Sequence, residues 1–340
     1  MQRIARGVFV ALLLALLMPW TASAAGTTTT TPTTPTTPTT TPPPVTPPAR
    51  GTLRLDVEGV FRLNHRNVTV SGRPLSVKGV ARPYVPGQVV VVKIRLGRRL
   101  VKSGTYRLKP LRHRTEGTFS ISLSSRAVGN LSINAVHAAT PRLAHSAATT
   151  QIVDVIVPAA GPGSTGTFVS LIQLRLAALH FAVPQNGVYD TLTQNAILAY
   201  RKVRGFARIF TLDSGVISGL LTGIGTFQVR YPHQGSHVEA NLTDQTLALI
   251  NGSKVYQIYP ISSGKPSTPT VLGTYHVYLR TPGYLPDGMY FSSFFTGGYA
   301  IHGYDPSPVY PASHGCLRLP IDDAISVYNW IHMGMPVDVY

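Results

Sequence analysis

Only one cysteine, Cys316, occurs in the 340 residues. An internal disulfide is therefore excluded, and the lone thiol is either a buried inert side chain or a reactive group. Acidic residues are also scarce: 13 Asp and Glu stand against 30 Lys and Arg, a formal net charge of +17. Long apolar runs are missing too. The stretch from Val8 to Met18 falls well short of the roughly 20 residues that cross a bilayer. A metal site built from His302, His314 and Cys316 would lack the Cys-x-x-Cys or His-x-x-x-His spacing of common zinc sites, so no metal and no cofactor is expected.

The surroundings of Cys316 favour a reactive thiol. It closes the run Ser313-His314-Gly315-Cys316-Leu317-Arg318, and Ile301-His302-Gly303 lies just upstream. A cysteine nucleophile needs a base or cation beside it, backbone donors for an oxyanion, and access for substrate. His302 or His314 can take the thiol proton, which lowers the effective pKa of the thiol. Gly315 lets a carbonyl approach the backbone closely. Pro306, Pro308 and Pro311 make residues 304–312 a stiff loop between the two histidine segments.

A strand ending in His-Gly, a short loop, then Ser-His-Gly-Cys, a hydrophobic residue and Arg resembles the L,D-transpeptidases of the YkuD type. The resemblance implies that Cys316 is the nucleophile and His302 the general base and acid, with the backbone at His314, Gly315 and Cys316 forming the oxyanion hole. Gly303, Ser313, Arg318 and Tyr290 are the candidate substrate contacts. An ion pair of Arg318 with Asp322 or Asp323 is the structural alternative. Ser262-Ser263-Gly264-Lys265 and Leu272-Gly273-Thr274 extend the resemblance over nearly all of residues 237–340.

The rest of the chain reads as delivery apparatus. Residues 1–24 carry Arg3 and Arg6, the apolar run and Ala22-Ser23-Ala24, the pattern of a secretory signal peptide. Residues 25–50 are rich in Thr and Pro and have nothing to bury, so a disordered linker is expected; the composition also resembles O-glycosylated linkers. Residues 51–158 show short β-rich runs broken by Gly and Pro, similar to an immunoglobulin-like β-sandwich. Between 50 and 157 lie 18 Lys and Arg against four Asp and Glu. Such a domain suits anionic envelope polymers; no nucleic-acid module is present, and nucleic acid is not an expected partner.

Residues 159–167 read as a Gly/Pro/Ser linker that leaves the flanking modules free to move. Residues 168–225 place Ile172, Leu176 and Leu179, then Thr193, Ala196, Ile197 and Tyr200, at helical spacing. This run resembles the small three-helix peptidoglycan-binding module, with His180 where that module carries Gly. Residues 237–340 read as mostly antiparallel strands plus one helix after the nucleophile. In that helix Ile321, Ala324, Ile325 and Tyr328 form the apolar face, and Asp322 and Asp323 complement its positive end.

The expected fold is multidomain and mainly β: an immunoglobulin-like sandwich, a three-helix module and a β-sandwich-like catalytic domain. The expected protein is secreted and wall-associated. It acts on peptidoglycan stem peptides and glycan, forms 3→3 cross-links through a Cys316 thioester with release of D-Ala, and is inhibited by β-lactams of the carbapenem class. An L,D-carboxypeptidase using the same site and a catalytically silent wall-binding scaffold remain as alternatives.

Overall fold

The computed structural model describes residue 26, residues 46–111, residue 113 and residues 115–340. The expected signal peptide and most of the Thr/Pro-rich segment lie outside the described residues. The chain divides into residues 1–46 and 47–340, and every element below belongs to the second unit.

Residues 52–156 form β1 (Thr52–Glu58), β2 (Phe61–Leu63), β3 (Arg66–Val70), β4 (Pro74–Arg82), β5 (Val89–Leu96), β6 (Arg99–Arg107), β7 (Lys109–Leu111), β8 (Glu116–Ser124), β9 (Gly129–His137), β10 (Ser146–Ala147) and β11 (Gln151–Ile156). They make two sheets, ordered β1-β4-β8-β7 and β2-β3-β11-β9-β5-β6, with β10 on β9. Alternation dictates the packing: Val90, Val92 and Ile94 of β5 are buried while Val89 and Lys93 face solvent. One core, with Val77, Phe119, Leu131 and Val153, fills the space between the sheets. Strand β6 has no apolar alternation of its own. It forms because the turn at Gly97-Arg98 pairs it with β5, from Leu96 with Arg99 to Val89 with Arg107, and its Arg99, Lys102 and Arg107 charge a free sheet edge.

Three helices follow: α1 (Thr167–Ala178), α2 (Thr191–Val203) and α3 (Ser214–Thr222). Asp190 caps α2 by accepting the Thr193 N–H at 2.8 Å, and Asp213 caps α3 through the Val216 N–H at 2.8 Å. Gly223, in left-handed conformation, ends α3. His180 adopts φ +69°, the left-handed region that glycine occupies most cheaply. Residues 159–167 do not run free. Gly163 and Gly166 donate to Tyr189 O and Gly187 O, and Tyr189 N–H returns to Ser164 O, so the segment is tied to the helical unit.

The last part contains β12 (Ser236–Asn241), β13 (Thr246–Asn251), β14 (Lys254–Pro260), β15 (Gly273–His276), β16 (Leu279–Tyr284), β17 (Tyr290–Thr296), β18 (Tyr299–Tyr304), β19 (Leu317–Pro320), α4 (Ile321–Trp330) and β20 (Pro336–Val339). One sheet is ordered β14-β13-β12-β20-β15 and the other β16-β17-β18-β19. The pairs β12·β20 and β18·β19 are parallel. Val238, Leu249, Phe295, Ile301, Leu317 and Val337 belong to their common core.

The helical unit shares a core with the elements on both sides of it. Its core residues Leu171, Ile197, Tyr200 and Leu220 are continuous with Ala248, Ile250 and Ile258 of β13 and β14, and with Val70 of β3. Apolar side chains on both sides of residues 159–167 thus close one interior. Helix α4 also differs from expectation. It buries Asp323, Ala324 and Val327, while Ile325 is 42% exposed, because Ala324 must sit against Gly303 and Asp323 against Asn195 of α2.

Candidate active site

His302 lies near the end of β18 and Cys316 directly precedes β19. The two strands run parallel, with His302 opposite Arg318 and Ile301 opposite Leu317. This pairing brings residues fourteen apart in sequence to the same end of the sheet. Residues 305–312 join them without helix or strand, as the three prolines require.

His302 is 2% exposed, and its Nδ1 lies 2.8 Å from Gly303 O. Donation to that carbonyl leaves Nε2 unprotonated and able to accept a proton. Burial, reinforced by the Arg318 guanidinium, pulls the imidazole pKa down to about 4. Cys316 is partly buried, and its thiol points weakly to Gly298 O at 3.8 Å. Burial raises its pKa, against the opposing pull of the Ala300 N–H and of Arg318. At neutral pH both groups are uncharged. The expected lowering of the thiol pKa by histidine is thus reversed in the resting site, because desolvation outweighs the local donors.

The turn carrying Cys316 is held by Ser313. Its Oγ donates to Cys316 O at 2.7 Å and accepts the Gly315 N–H at 3.0 Å, and the residue is fully buried. Two candidate roles change accordingly. Ser313 cannot be a substrate contact, since its hydroxyl is consumed inside the turn. The Gly315 N–H is occupied, which leaves the amides of His314 and Cys316 as the oxyanion donors of the expected set. Gly315 has φ +124°, and a Cβ there would overlap the Tyr299 ring. Glycine is required twice over, for conformation and for space.

Gly303 is likewise a packing residue rather than a substrate contact: a Cβ would come within 2.6 Å of Ala324 Cβ and within 3.3 Å of the Tyr290 ring. Arg318 makes no ion pair with Asp322 or Asp323. Its guanidinium stacks over Tyr304 at 3.9 Å and donates to Ala312 O at 3.4 Å, spanning both ends of the proline-rich loop. Asp323 is instead buried against Asn195 Nδ2 at 3.1 Å, and burial pushes its pKa up to about 8, so it supplies no charge to the helix start at pH 7. His314 is exposed, with Nε2 3.3 Å from Lys265 Nζ. Tyr290 packs at a tilt against Tyr284 and edge-to-face against Phe291, and lines an open groove with Tyr284, Thr191, Asp322 and Ile325.

Three residues with a structural part in the site carried no sequence signal. Tyr299 floors Gly315, Tyr304 carries Arg318, and Lys202 of the helical unit holds Ile261 O, next to the Ser262 that pairs with Arg318. Each acts through a contact that has no local periodicity. Among the described residues no cluster of three or more His, Cys, Asp or Glu has metal-binding geometry.

Comparison with known proteins identifies this part of the chain. Residues 235–339 match the family described as YkuD, L,D-transpeptidase catalytic domain. Among solved structures, the L,D-transpeptidase from Xylanimonas cellulosilytica is 29% identical over 53% of this chain and 97% of its own, with TM-score 0.48. The L,D-transpeptidase from Stackebrandtia nassauensis is 19% identical over 54% and 95%, with TM-score 0.35. The catalytic domain of the E. faecium L,D-transpeptidase is 25% identical over 32% and 98%, with TM-score 0.28. No curated protein sequence matches the chain.

Proposed function

Residues 235–339 being an L,D-transpeptidase catalytic domain, we propose that the chain is a secreted peptidoglycan L,D-transpeptidase that joins stem peptides by 3→3 cross-links. The observation that carries this reading is the parallel register of β18 and β19, which sets His302 and the only thiol at one end of one sheet.

In this mechanism the Cys316 Sγ attacks the carbonyl that follows the L-configured centre of a stem tetrapeptide. His302 Nε2 takes the thiol proton as the S–C bond forms. Because both groups start uncharged, proton transfer accompanies attack rather than preceding it. Arg318 favours the thiolate and disfavours the imidazolium, which drives the proton onward. The tetrahedral intermediate, its oxyanion held by backbone amides of the Cys316 turn, collapses to a thioester. His302 returns the proton to the departing amine of D-Ala. An amine of a second stem then attacks the thioester, His302 removes its proton, and the thiol is restored.

The N-terminal 24 residues direct the chain out of the cytoplasm. The β5–β6 hairpin, with Lys93, Arg99, Lys102 and Arg107 exposed and no acidic residue between 89 and 107, holds anionic envelope polymers in a salt-sensitive manner. Carbapenems acylate Cys316.

Incubation of the mature protein and of Cys316→Ala with purified disaccharide tetrapeptide, followed by mass analysis, tests the reading. Dimer formed with loss of D-Ala by the wild type alone is the expected result. Tripeptide without dimer would instead make the protein an L,D-carboxypeptidase, and absence of any Cys316-dependent product would leave only a wall-binding scaffold.

A further inference from the structure

The helical unit packs on β13 and β14, meets α4 through Asn195 and Asp323, and reaches the segment that follows β14. Strand β14 is the free edge of its sheet, and residues 180–182 cover that edge from outside. His180 O accepts the Ile258 N–H at 2.8 Å, and Ala182 N–H donates to Ile258 O at 3.1 Å. Just past the end of β14, Lys202 of α2 donates from Nζ to Ile261 O at 2.7 Å. Lys202 is 3% exposed. Removing an ammonium from water costs several kcal/mol, and burial together with Arg208 brings the Lys202 pKa down to about 7.

From Ile261 the chain becomes a strap across the Cys316 turn. Ser262 and Arg318 exchange backbone hydrogen bonds at 2.8 and 3.0 Å. Ser263 O accepts the N–H groups of Ala312 and Ser313, each at 2.9 Å, and Lys265 N–H donates to Ser313 O at 3.0 Å. Ser262 Oγ donates to Tyr310 O at 2.6 Å. The strap thus fixes the turn on both sides of the thiol, and Lys202 fixes the carbonyl from which the strap departs.

We infer that Lys202 is a positioning residue for Cys316: the helical unit, besides any contact with the wall, sets the geometry of the nucleophile through the bond from Lys202 to Ile261 and the Ser262–Lys265 strap. This inference rests on Cys316 being the nucleophile. A helix 114 residues upstream in sequence from Cys316 thereby becomes part of the acylation machinery.

The test uses the full chain with Lys202→Met, which keeps the apolar stem and removes the donor, and Lys202→Gln, which retains an N–H. Asn195→Ala breaks the other polar contact of α2 with the catalytic domain and serves as control. Acylation by a carbapenem is followed by mass as a rate constant and a final titratable fraction, beside alkylation of the same thiol by iodoacetamide. Misplacement of a reacting group by about 1 Å costs up to 10²-fold, so the acylation rate constant of K202M should fall about tenfold, with K202Q intermediate. The titratable fraction and the alkylation rate should stay within twofold of wild type, since access to the thiol is retained. An equal loss in N195A, or a loss confined to the titratable fraction, would show that Lys202 only supports the fold and would overturn the inference. Should K202M not fold, K202Q acylating at the wild-type rate would overturn it as well. Failure of the wild type to be acylated while it alkylates normally would refute the nucleophile assignment instead.

Discussion

Replacement of Gly315 by alanine probes the turn beside the thiol most directly. The backbone there has φ +124°, and the added methyl would enter the Tyr299 ring. Holding a non-glycine residue in such a conformation costs about 1–3 kcal/mol. Forcing a methyl into filled space costs about 1–3 kcal/mol more. Gly315→Ala should therefore destabilise the protein by about 4 kcal/mol, read as a lower urea midpoint at unchanged slope. The two contributions separate in a double-mutant cycle with Tyr299→Ala. In the Tyr299→Ala background the methyl has room, and only the backbone cost of about 1–3 kcal/mol remains. The coupling between positions 315 and 299 should thus be about 1–3 kcal/mol, and carbapenem acylation should recover partly in the double variant. A Gly315→Ala protein within about 0.5 kcal/mol of wild type, or a cycle with no coupling, would refute the placement of the ring under the turn.

Two further outcomes are expected. The imidazole of His302 drops from its ordinary value of 6.5 to about 4 in the folded chain, so the unfolded chain binds the proton more tightly. The stabilisation is complete above pH 6.5 and is lost as pH falls toward 4. At about 1.4 kcal/mol for each tenfold change in proton affinity, it amounts to roughly 3 kcal/mol. Urea midpoints at pH 7, 5.5 and 4 should converge between wild type and His302→Gln by that amount; a constant difference would disprove the burial argument. His180→Gly should raise stability by about 1 kcal/mol by relieving the left-handed backbone, measured as a higher urea midpoint; a lower midpoint would count against the φ of +69°.

The candidate site residues are legible in the sequence because their signal is local. Cys316 is unique, Gly315 and His314 adjoin it, and His302 stands one short loop away. The strands of the sandwich show themselves by alternation, as at Val90, Val92 and Ile94, and the first two helices by the apolar spacing of Ile172, Leu176 and Leu179 and of Ala196, Ile197 and Tyr200. Strand β6 gives no such signal, because its exposed edge has no buried alternate face.

Amino-acid order by itself carried the candidate thiol, the family resemblance, the mainly β architecture and the helical unit, since each rests on residue type and short-range periodicity. Only the tertiary structure decided which polar groups hold the site together. Ser313 turned from candidate substrate contact to turn fastener, Arg318, a candidate substrate contact with an ion pair as the alternative, was found stacked on Tyr304, and Asp323 turned from helix-end charge to a buried neutral carboxyl. It also turned the face of α4, exposing Ile325 and burying Val327, and it brought Lys202 to Ile261 across 59 residues and Asn195 to Asp323 across 128. A polar side chain bonds whichever carbonyl or amide folding brings within reach, and a partner that distant in sequence leaves no trace in the local pattern.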